Sequence, residues 1–406
     1  MEKKLKIAFI ISDEGLPVPA VFGGAIETLV TLLIEENEKA QKFEFIIVCK
    51  YYDELKKYGS IEKYRQTHIY YIDEKTESIL TKIKLKVYNH IAWKSDGRLS
   101  YLNLFYYRAY KIIRRERVDY AIAEGGDYQK FWLISKKMHA FKTIIHIHHE
   151  LKSNSKLLKI FGKSIAVSDF IMKKWMEGAE LGEHKLYVLK NAVDEKRFEY
   201  HLSSQEVIGV REKLGFAISD FVVIYCGRII KEKGVKELIE AFSLLDNTDV
   251  KLLILGATGF AVGEKGKYEC EVIEKCKADT RIKILGYIDN YKIYQYYQCS
   301  DVLVIPSICE EASTLTILEG MYSGIPVIAT DSGGLVEYAK DSFSIIVKRD
   351  EYLIENIAKA IMKIKGDEKL RNSMKVHALS VAKKYSGRFY FKNFSNLIDR
   401  FKEEEL

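Results

Sequence analysis

Two carboxylates, Glu311 and Glu319, bracket the stretch Glu311-Ala-Ser-Thr-Leu-Thr-Ile-Leu-Glu319, which follows the apolar run Val302–Ile305 and precedes Gly324-Ile-Pro326. The pattern of strand, polar turn and apolar periodicity predicts a helix start near Ser313 or Thr314. Its unpaired backbone N–H groups and positive dipole end can receive a phosphate. Glu311 stands just before that helix and Glu319 in its second turn, so the pair can flank a ligand carrying both phosphate and hydroxyl groups. A nucleotide sugar is such a ligand. The letters Thr316-Ile-Leu-Glu319 also match a capping box, in which Glu319 would only satisfy a backbone N–H.

A pair of cations precedes this segment. Val222-Val-Ile-Tyr-Cys226 reads as a strand running into Gly227-Arg228, with Lys233-Gly234 just before the next helical pattern. Both segments leave a strand and open a helix, so both belong at the C-terminal edge of a parallel sheet, where ligands of such sheets bind. Arg228 and Lys233 beside a helix N-terminus can stabilise a developing diphosphate charge without a metal. In an ordinary surface loop, Arg228 would instead pair with Glu232 or a helix carboxylate.

A third group is His146-Ile-His-His149, at the end of the β-branched run Thr143–Ile147. Alternation from Ile144 points His146 and His148 to one face and leaves His149 past the strand end. A purely structural reading pairs a histidine with Glu150.

The elements that must position these residues come in two series. Predicted strands at 5–11, 44–48, 69–72, 119–123, 143–147, 164–167 and 186–189 are separated by helix-period segments, the signature of a parallel sheet covered on both faces. The pattern restarts at 221–226, 251–255, 282–285, 302–305, 326–329 and 344–347, with helices such as Val235–Leu245 and Tyr291–Cys299 between. The expected architecture is two doubly wound α/β domains facing each other across a cleft. We place one at 1–200 and the other at 201–385. A final helix at 386–406 carries Phe389, Tyr390, Phe391, Phe394, Leu397, Ile398 and Phe401 at helical spacing, so it buries one face.

With 406 residues, 48% hydrophobic and 30% charged, the chain can build two cores and lacks the bias of a disordered protein. A formal charge of +7 is too modest to imply a nucleic-acid partner, and no nucleic-acid-binding motif is present. The basic residues do cluster between Lys82 and Arg117, among them Lys84, Lys94, Arg98, Lys111 and Arg114, interleaved with Tyr88, Trp93, Tyr101, Phe105, Tyr106 and Tyr107. Such a surface suits anionic lipid head groups or a lipid-linked acceptor. Two solvated helices whose aromatics face the core would give the same letters. The six cysteines show no metal-binding spacing and sit mainly in apolar runs, which fits a reducing cytoplasm. The run Leu5–Ile11 is too short to span a membrane and has no evident cleavage site.

Taken together, Gly227-Arg228, Lys233-Gly234, Glu311 to Glu319, Gly324-Ile-Pro-Val-Ile-Ala329 and Gly333-Gly334 resemble the retaining family 4 glycosyltransferases of the two-domain GT-B fold. Gly23-Gly24 before a helix, His146-Ile-His-His149, Ala166-Val-Ser168 and Leu189-Lys-Asn191 extend the resemblance over nearly the whole chain in the family's order. The resemblance implies that Arg228 and Lys233 hold a donor diphosphate and that Glu319 binds the ribose hydroxyls. It likewise implies that Glu311 contacts the transferred sugar, with backbone N–H groups of Ser313, Thr314 and Leu315 near the phosphate. Gly23 and Gly24 would form a mobile loop where the lack of Cβ permits close approach. His148 is the expected histidine beside the sugar, and the last helix would cross back onto the N-terminal domain. Two departures stand out: Ala312-Ser-Thr314 replaces a proline or phenylalanine and a glycine, and Ala192 replaces a glycine after Asn191. Ser168-Asp169 and Asn191 read as structural.

There is no Asp-x-Asp motif, P-loop or GxSxG elbow, which argues against a metal-dependent single-domain transferase, ATP chemistry and ester hydrolysis. The resemblance thus implies a retaining, metal-independent hexosyltransferase that needs no cofactor. Its donor would be a nucleotide sugar, with a UDP-sugar expected, and its acceptor a glycan or lipid-linked glycan at the inner face of the cell membrane. A catalytically silent partner subunit of the same fold, or a sugar-nucleotide epimerase, are the competing readings.

Overall fold

The computed structural model describes residues 4–58, 64–73, 75, 78–96, 101–182, 184–259, 266–339 and 342–405, with the backbone alone for 57–58 and 91–96. Arg98 and the side chains of Trp93 and Lys94 lie outside the described residues. The chain forms two compact units, Met1–Lys190 with Tyr390–Leu406, and Asn191–Phe389.

The first unit is built on a seven-stranded, all-parallel sheet. Its strands are β1 (Lys6–Ile11), β2 (Glu44–Lys50), β3 (Thr67–Ile72), β4 (Tyr120–Glu124), β5 (Thr143–Ile147), β6 (Lys163–Ala166) and β7 (Lys185–Val188), in the order β3-β2-β1-β4-β5-β6-β7. Ile7 to Ile11 and Phe45 to Cys49 are almost fully buried, as strands covered on both faces require. β1 lies between β2 and β4, with Ile11 opposite Glu124, so the direction of winding reverses at the β1/β4 junction. In such sheets ligands bind beyond the strand C-termini at that switch point.

The helix Gly387–Glu403 completes this unit from Tyr390 onward. Phe394 packs on Phe9, Phe43 and Phe45 with ring centroids 5.7, 6.2 and 6.3 Å apart, and Phe401 lies 5.0 Å from Tyr187. Lys163, 1% exposed, extends the fastening: its ammonium donates to Phe141 O at 2.6 Å and Glu405 Oε1 at 3.2 Å and sits over the Phe401 ring.

The second unit repeats the plan with six parallel strands, β8 (Phe221–Cys226), β9 (Val250–Leu255), β10 (Ile282–Gly286), β11 (Val302–Ile305), β12 (Val327–Thr330) and β13 (Ser344–Val347), in the order β10-β9-β8-β11-β12-β13. Its switch point is the β8/β11 junction, where Val223 pairs with Val302. Every predicted strand is a strand, within about two residues at each end.

Candidate functional site

At the second switch point, glycine lets two loops touch. Gly234 has φ 68°, and a Cβ there would stand 1.9 Å from Pro306 O, so only glycine allows the turn after β8 to lie against the turn after β11. This contact sets Lys233 beside Glu311: Nζ donates to Oε1 at 2.6 Å and Oε2 at 2.8 Å. Ser307 Oγ donates to Oε1 at 2.5 Å and Thr314 Oγ1 to Oε2 at 3.1 Å. All four lone-pair positions of the carboxylate are then occupied. A sugar hydroxyl reaching Glu311 must displace one of these donors. The backbone is fixed as firmly, with Glu311 N donating to Ser332 Oγ at 2.9 Å and Gly334 N to Glu311 O at 2.6 Å.

The helix Leu315–Tyr322 begins right after this cluster, with Thr314 at its N-cap and no side-chain cap. The hydroxyl that would cap it is spent on Glu311, and Ser313 Oγ meets the Tyr338 hydroxyl at 2.9 Å. The first-turn N–H groups therefore keep their capacity for an outside acceptor. Glu319 does not form the capping box its letters allow. It is 7% exposed, accepting from Arg197 Nη2 at 3.3 Å and Tyr297 Oη at 2.9 Å, and each oxygen retains room for another donor. Arg197, whose side chain is 7% exposed, also grips Asn290 O through Nε and Nη2. Nothing in the sequence around Arg197 marks it; only the fold brings it to Glu319. The Cys226 thiol beside them is pushed up to about 12, first by burial and then by the Glu319 charge.

Arg228 stands apart. Its carbonyl accepts from Tyr225 Oη at 2.7 Å, but its side chain is exposed and has no hydrogen bond or ion pair with Glu232 or any other described residue. The second domain therefore joins Lys233, Glu311 and Thr314 in one cluster and holds Glu319 in a neighbouring one. Its other predicted cation extends into solvent.

In the first domain, Gly23 and Gly24 both have positive φ, and Gly24 caps the helix Ala25–Ala40 without a side chain. A Cβ on Gly24 would fall 2.1 Å from Glu27 Oε2. Glu27 is buried, accepts from Leu16 N at 2.9 Å, and has its carboxyl raised to about 7, chiefly by that burial.

His146 and His148 do share a face, with ring centroids 4.1 Å apart, but what holds them is Glu124 at the end of β4 and not Glu150. His146 Nδ1 lies 3.1 Å from both Glu124 oxygens, and His148 Nε2 lies 2.6 Å from Oε2. Burial alone would raise the Glu124 carboxyl; its paired imidazoles outweigh that and bring it down to about 2. Burial, reinforced by His146 and only partly opposed by Glu124, lowers His148 to about 4. His149 packs on the Tyr128 ring, whose hydroxyl donates to His146 O at 2.7 Å. Sequence reasoning missed Glu124 because the predicted strand stopped one residue short; an acidic residue closing a parallel strand was the available signal.

Among the described residues, Glu124, His146 and His148 form the group whose ligand atoms converge within 4.8 Å. Two ligands of one ion, each bound at about 2.0–2.1 Å, sit about 3.3 Å apart in a tetrahedral site. The 2.6 Å between His148 Nε2 and Glu124 Oε2 is a charge-assisted hydrogen bond instead.

The remaining predicted features divide. Ser168 caps a helix through Ile171 N at 3.2 Å, and Asn191 N donates to Tyr338 Oη, both structural tasks. In the basic and aromatic segment, Phe105, Tyr106 and Tyr107 are buried in the core. The helix Ile79–Asp96, however, exposes Ile79, Leu80, Ile83 and Val87. A cavity of about 830 Å³ beside it is lined by Lys84, Tyr88, Tyr107, Lys111, Arg114 and Arg117 among others. No described helix is long and apolar enough to cross a membrane, and all six cysteines are free.

Residues 209–380 match the family Glycosyl transferases group 1. The match falls within the second domain, and the two domains have the GT-B fold. A glycosyltransferase from Rickettsia africae superposes with a TM-score of 0.76 at 19% identity over 98% of both chains. The Anabaena protein HepE in complex with UDP-glucose does so with 0.73 at 18% identity over 98% of this chain and all of that one. An uncharacterized glycosyltransferase of Methanocaldococcus jannaschii is 29% identical over 39% of each chain. The lipopolysaccharide 1,2-N-acetylglucosaminetransferase of Salmonella typhimurium is 26% identical over 48% of this chain and 50% of its own. These alignments span half or less of the relatives' length.

Proposed function

We propose that this chain is a retaining glycosyltransferase that moves a sugar from a nucleotide diphosphate sugar, preferably a UDP-sugar, to a hydroxyl of a growing glycoconjugate or polysaccharide. The observation that carries the reading is the β8/β11 switch point. There Lys233, held by Glu311, stands before an uncapped helix start, within the domain that matches the group 1 family. Two of the three ammonium N–H groups are spent on Glu311, which leaves one for a phosphate oxygen.

In this reading the 201–385 region holds the donor and the 1–200 region the acceptor, with 386–406 packing on the latter. Arg228 and Lys233 bind the diphosphate together with the N–H groups of Ser313, Thr314 and Leu315. Glu319 takes the ribose hydroxyls, and its unfilled acceptor capacity supports that role. Glu311 and His148 lie toward the transferred sugar, and Gly23 and Gly24 form the loop that closes on it. The departing phosphate accepts the acceptor's proton on the face it leaves, so configuration is retained and no metal takes part. Domain closure excludes water and favours transfer over hydrolysis. HepE was solved with UDP-glucose, and the Salmonella relative is named for transfer onto lipopolysaccharide, which supports a UDP-sugar and a lipid-linked acceptor. The exposed aliphatic residues of Ile79–Asp96 beside a cationic cavity support peripheral attachment to an anionic membrane at the cytoplasmic face.

A thermal-shift screen across UDP-, GDP-, TDP- and ADP-sugars identifies the donor, because a bound donor stabilises the fold by mass action. Transfer assays of Arg228→Ala and Lys233→Ala then decide the reading: near-normal turnover in both would sink it. Flotation with anionic vesicles tests attachment, and no binding at low salt counts against it.

A further inference from the structure

Glu124 has a task that neither its strand position nor the functional reading assigns. It is 2% exposed and faces two imidazoles at once, from its own neighbour strand β5 and from the residue just beyond it. A carboxylate is an acceptor only, so each ring nitrogen turned to it must carry a proton. His146 therefore donates from Nδ1 and His148 from Nε2. The remaining nitrogens differ. His146 Nε2 is buried with no partner among the described residues, a place where an N–H⁺ would be left unsatisfied. His148 Nδ1 has no hydrogen bond among the described residues either, but it is not sealed from solvent.

We propose that Glu124 is a positioning residue that locks His148 as the neutral, Nε2-protonated tautomer, so that the ring presents a bare Nδ1 lone pair to a substrate hydroxyl. The other titratable groups near the cluster are His149 from the same loop, Tyr128, whose hydroxyl donates to His146 O, and Glu27 from the helix Ala25–Ala40, and the lowered proton affinity of His148 agrees with a neutral ring. The consequence is a rule of selection. An acceptor-only Nδ1 welcomes a neutral hydroxyl and repels a carboxylate or phosphate oxygen, so the sugar taken at this position carries a hydroxyl and not an acidic substituent. This last step rests on the reading of His148 as a sugar contact.

The test uses full-length protein labelled with ¹⁵N-histidine, its ring signals assigned with His146→Ala and His148→Ala. At pH 7 the expected spectrum shows His148 protonated at Nε2 alone. Glu124→Gln, whose amide can turn either an oxygen or an NH₂ to the ring, gives a mixture of tautomers. A wild-type His148 protonated at Nδ1, or at both nitrogens, overturns the proposal. Binding is then followed with UDP and with UDP-glucose. His148→Ala and Glu124→Gln are each expected to weaken UDP-glucose about tenfold and to leave UDP within twofold. The expected tautomer with equal effects on both ligands refutes the hydroxyl contact while leaving the diphosphate site, and with it the transferase reading, intact. Loss of UDP binding in Lys233→Ala, measured alongside, checks that site independently.

Discussion

At the end of β4 the first domain seals a carboxylate between two imidazoles; at the end of β11 the second sets a carboxylate against an ammonium and two hydroxyls, with Lys233 still partly exposed. The two sheets share a strand order through their switch points, so topology alone does not account for the difference. What differs is solvent. Glu124 and the rings that face it are closed off, whereas Lys233 keeps access to water. In the proposed reading the first cluster fixes a ring and the second exchanges a partner. The lesson is that equivalent positions in repeated folds divide labour through burial as much as through residue type.

The sharpest way to break this contrast is Lys233→Ala. If the second cluster holds a leaving diphosphate, kcat/KM falls by about 10²–10³, the scale of a lost transition-state donor, in a steady-state transfer assay. Next comes Glu124→Ala, which strips the acceptor from two buried imidazole N–H groups. At about 1–3 kcal/mol for each buried group left unpaired, a loss of about 2–6 kcal/mol is expected in the first unit's denaturant unfolding. An unchanged midpoint would mean that the first cluster is as open as the second.

Acidification gives a smaller effect with a definite sign. Folding lowers Glu124 from 4.5 to about 2 and His148 from 6.5 to about 4, so the unfolded chain takes up protons first. Their stabilisation is complete above about pH 6.5 and is lost as pH falls, first through His148 and then, below about 4.5, through Glu124. Glu27 acts oppositely: raised from 4.5 to about 7, it favours the folded state at low pH and loses that contribution as pH rises through 7. Thermal midpoints from pH 8 to pH 4 should therefore fall less steeply in His148→Asn, and Glu27→Gln should gain on wild type toward pH 8. The smallest change is Thr314→Val, which removes the longest of Glu311's hydrogen bonds and keeps the shape. It costs about 0.5–1.5 kcal/mol, read from the second unit's unfolding.

The strands were legible because both sheets are buried on two faces, and that forces short β-branched runs whatever the function. The Lys233 and Glu311 positions were legible for a related reason: each follows a strand and opens a helix, so sequence order already implied a shared sheet edge. What escaped was partnership across the chain. Arg197 lies 122 residues from Glu319 and joins it only through the fold. Glu124 was hidden by a one-residue error in a strand end. The exposed aliphatic residues Ile79, Leu80, Ile83 and Val87 escaped because the reading of that segment rested on its basic and aromatic letters from Lys82 onward.

The helix from Tyr390 onward also sets the order in which the molecule can be finished. Phe9, Phe43 and Phe45 leave the ribosome early, but Phe394, the ring that covers them, follows only after all of Asn191–Phe389 has been made. At roughly 5–20 residues per second that interval is roughly 10–40 s, during which the nascent first domain carries an open aromatic patch. A chain cut short before Tyr390 would keep that patch for life, so truncated products of this protein should appear with chaperones or in aggregates and not as a soluble fragment.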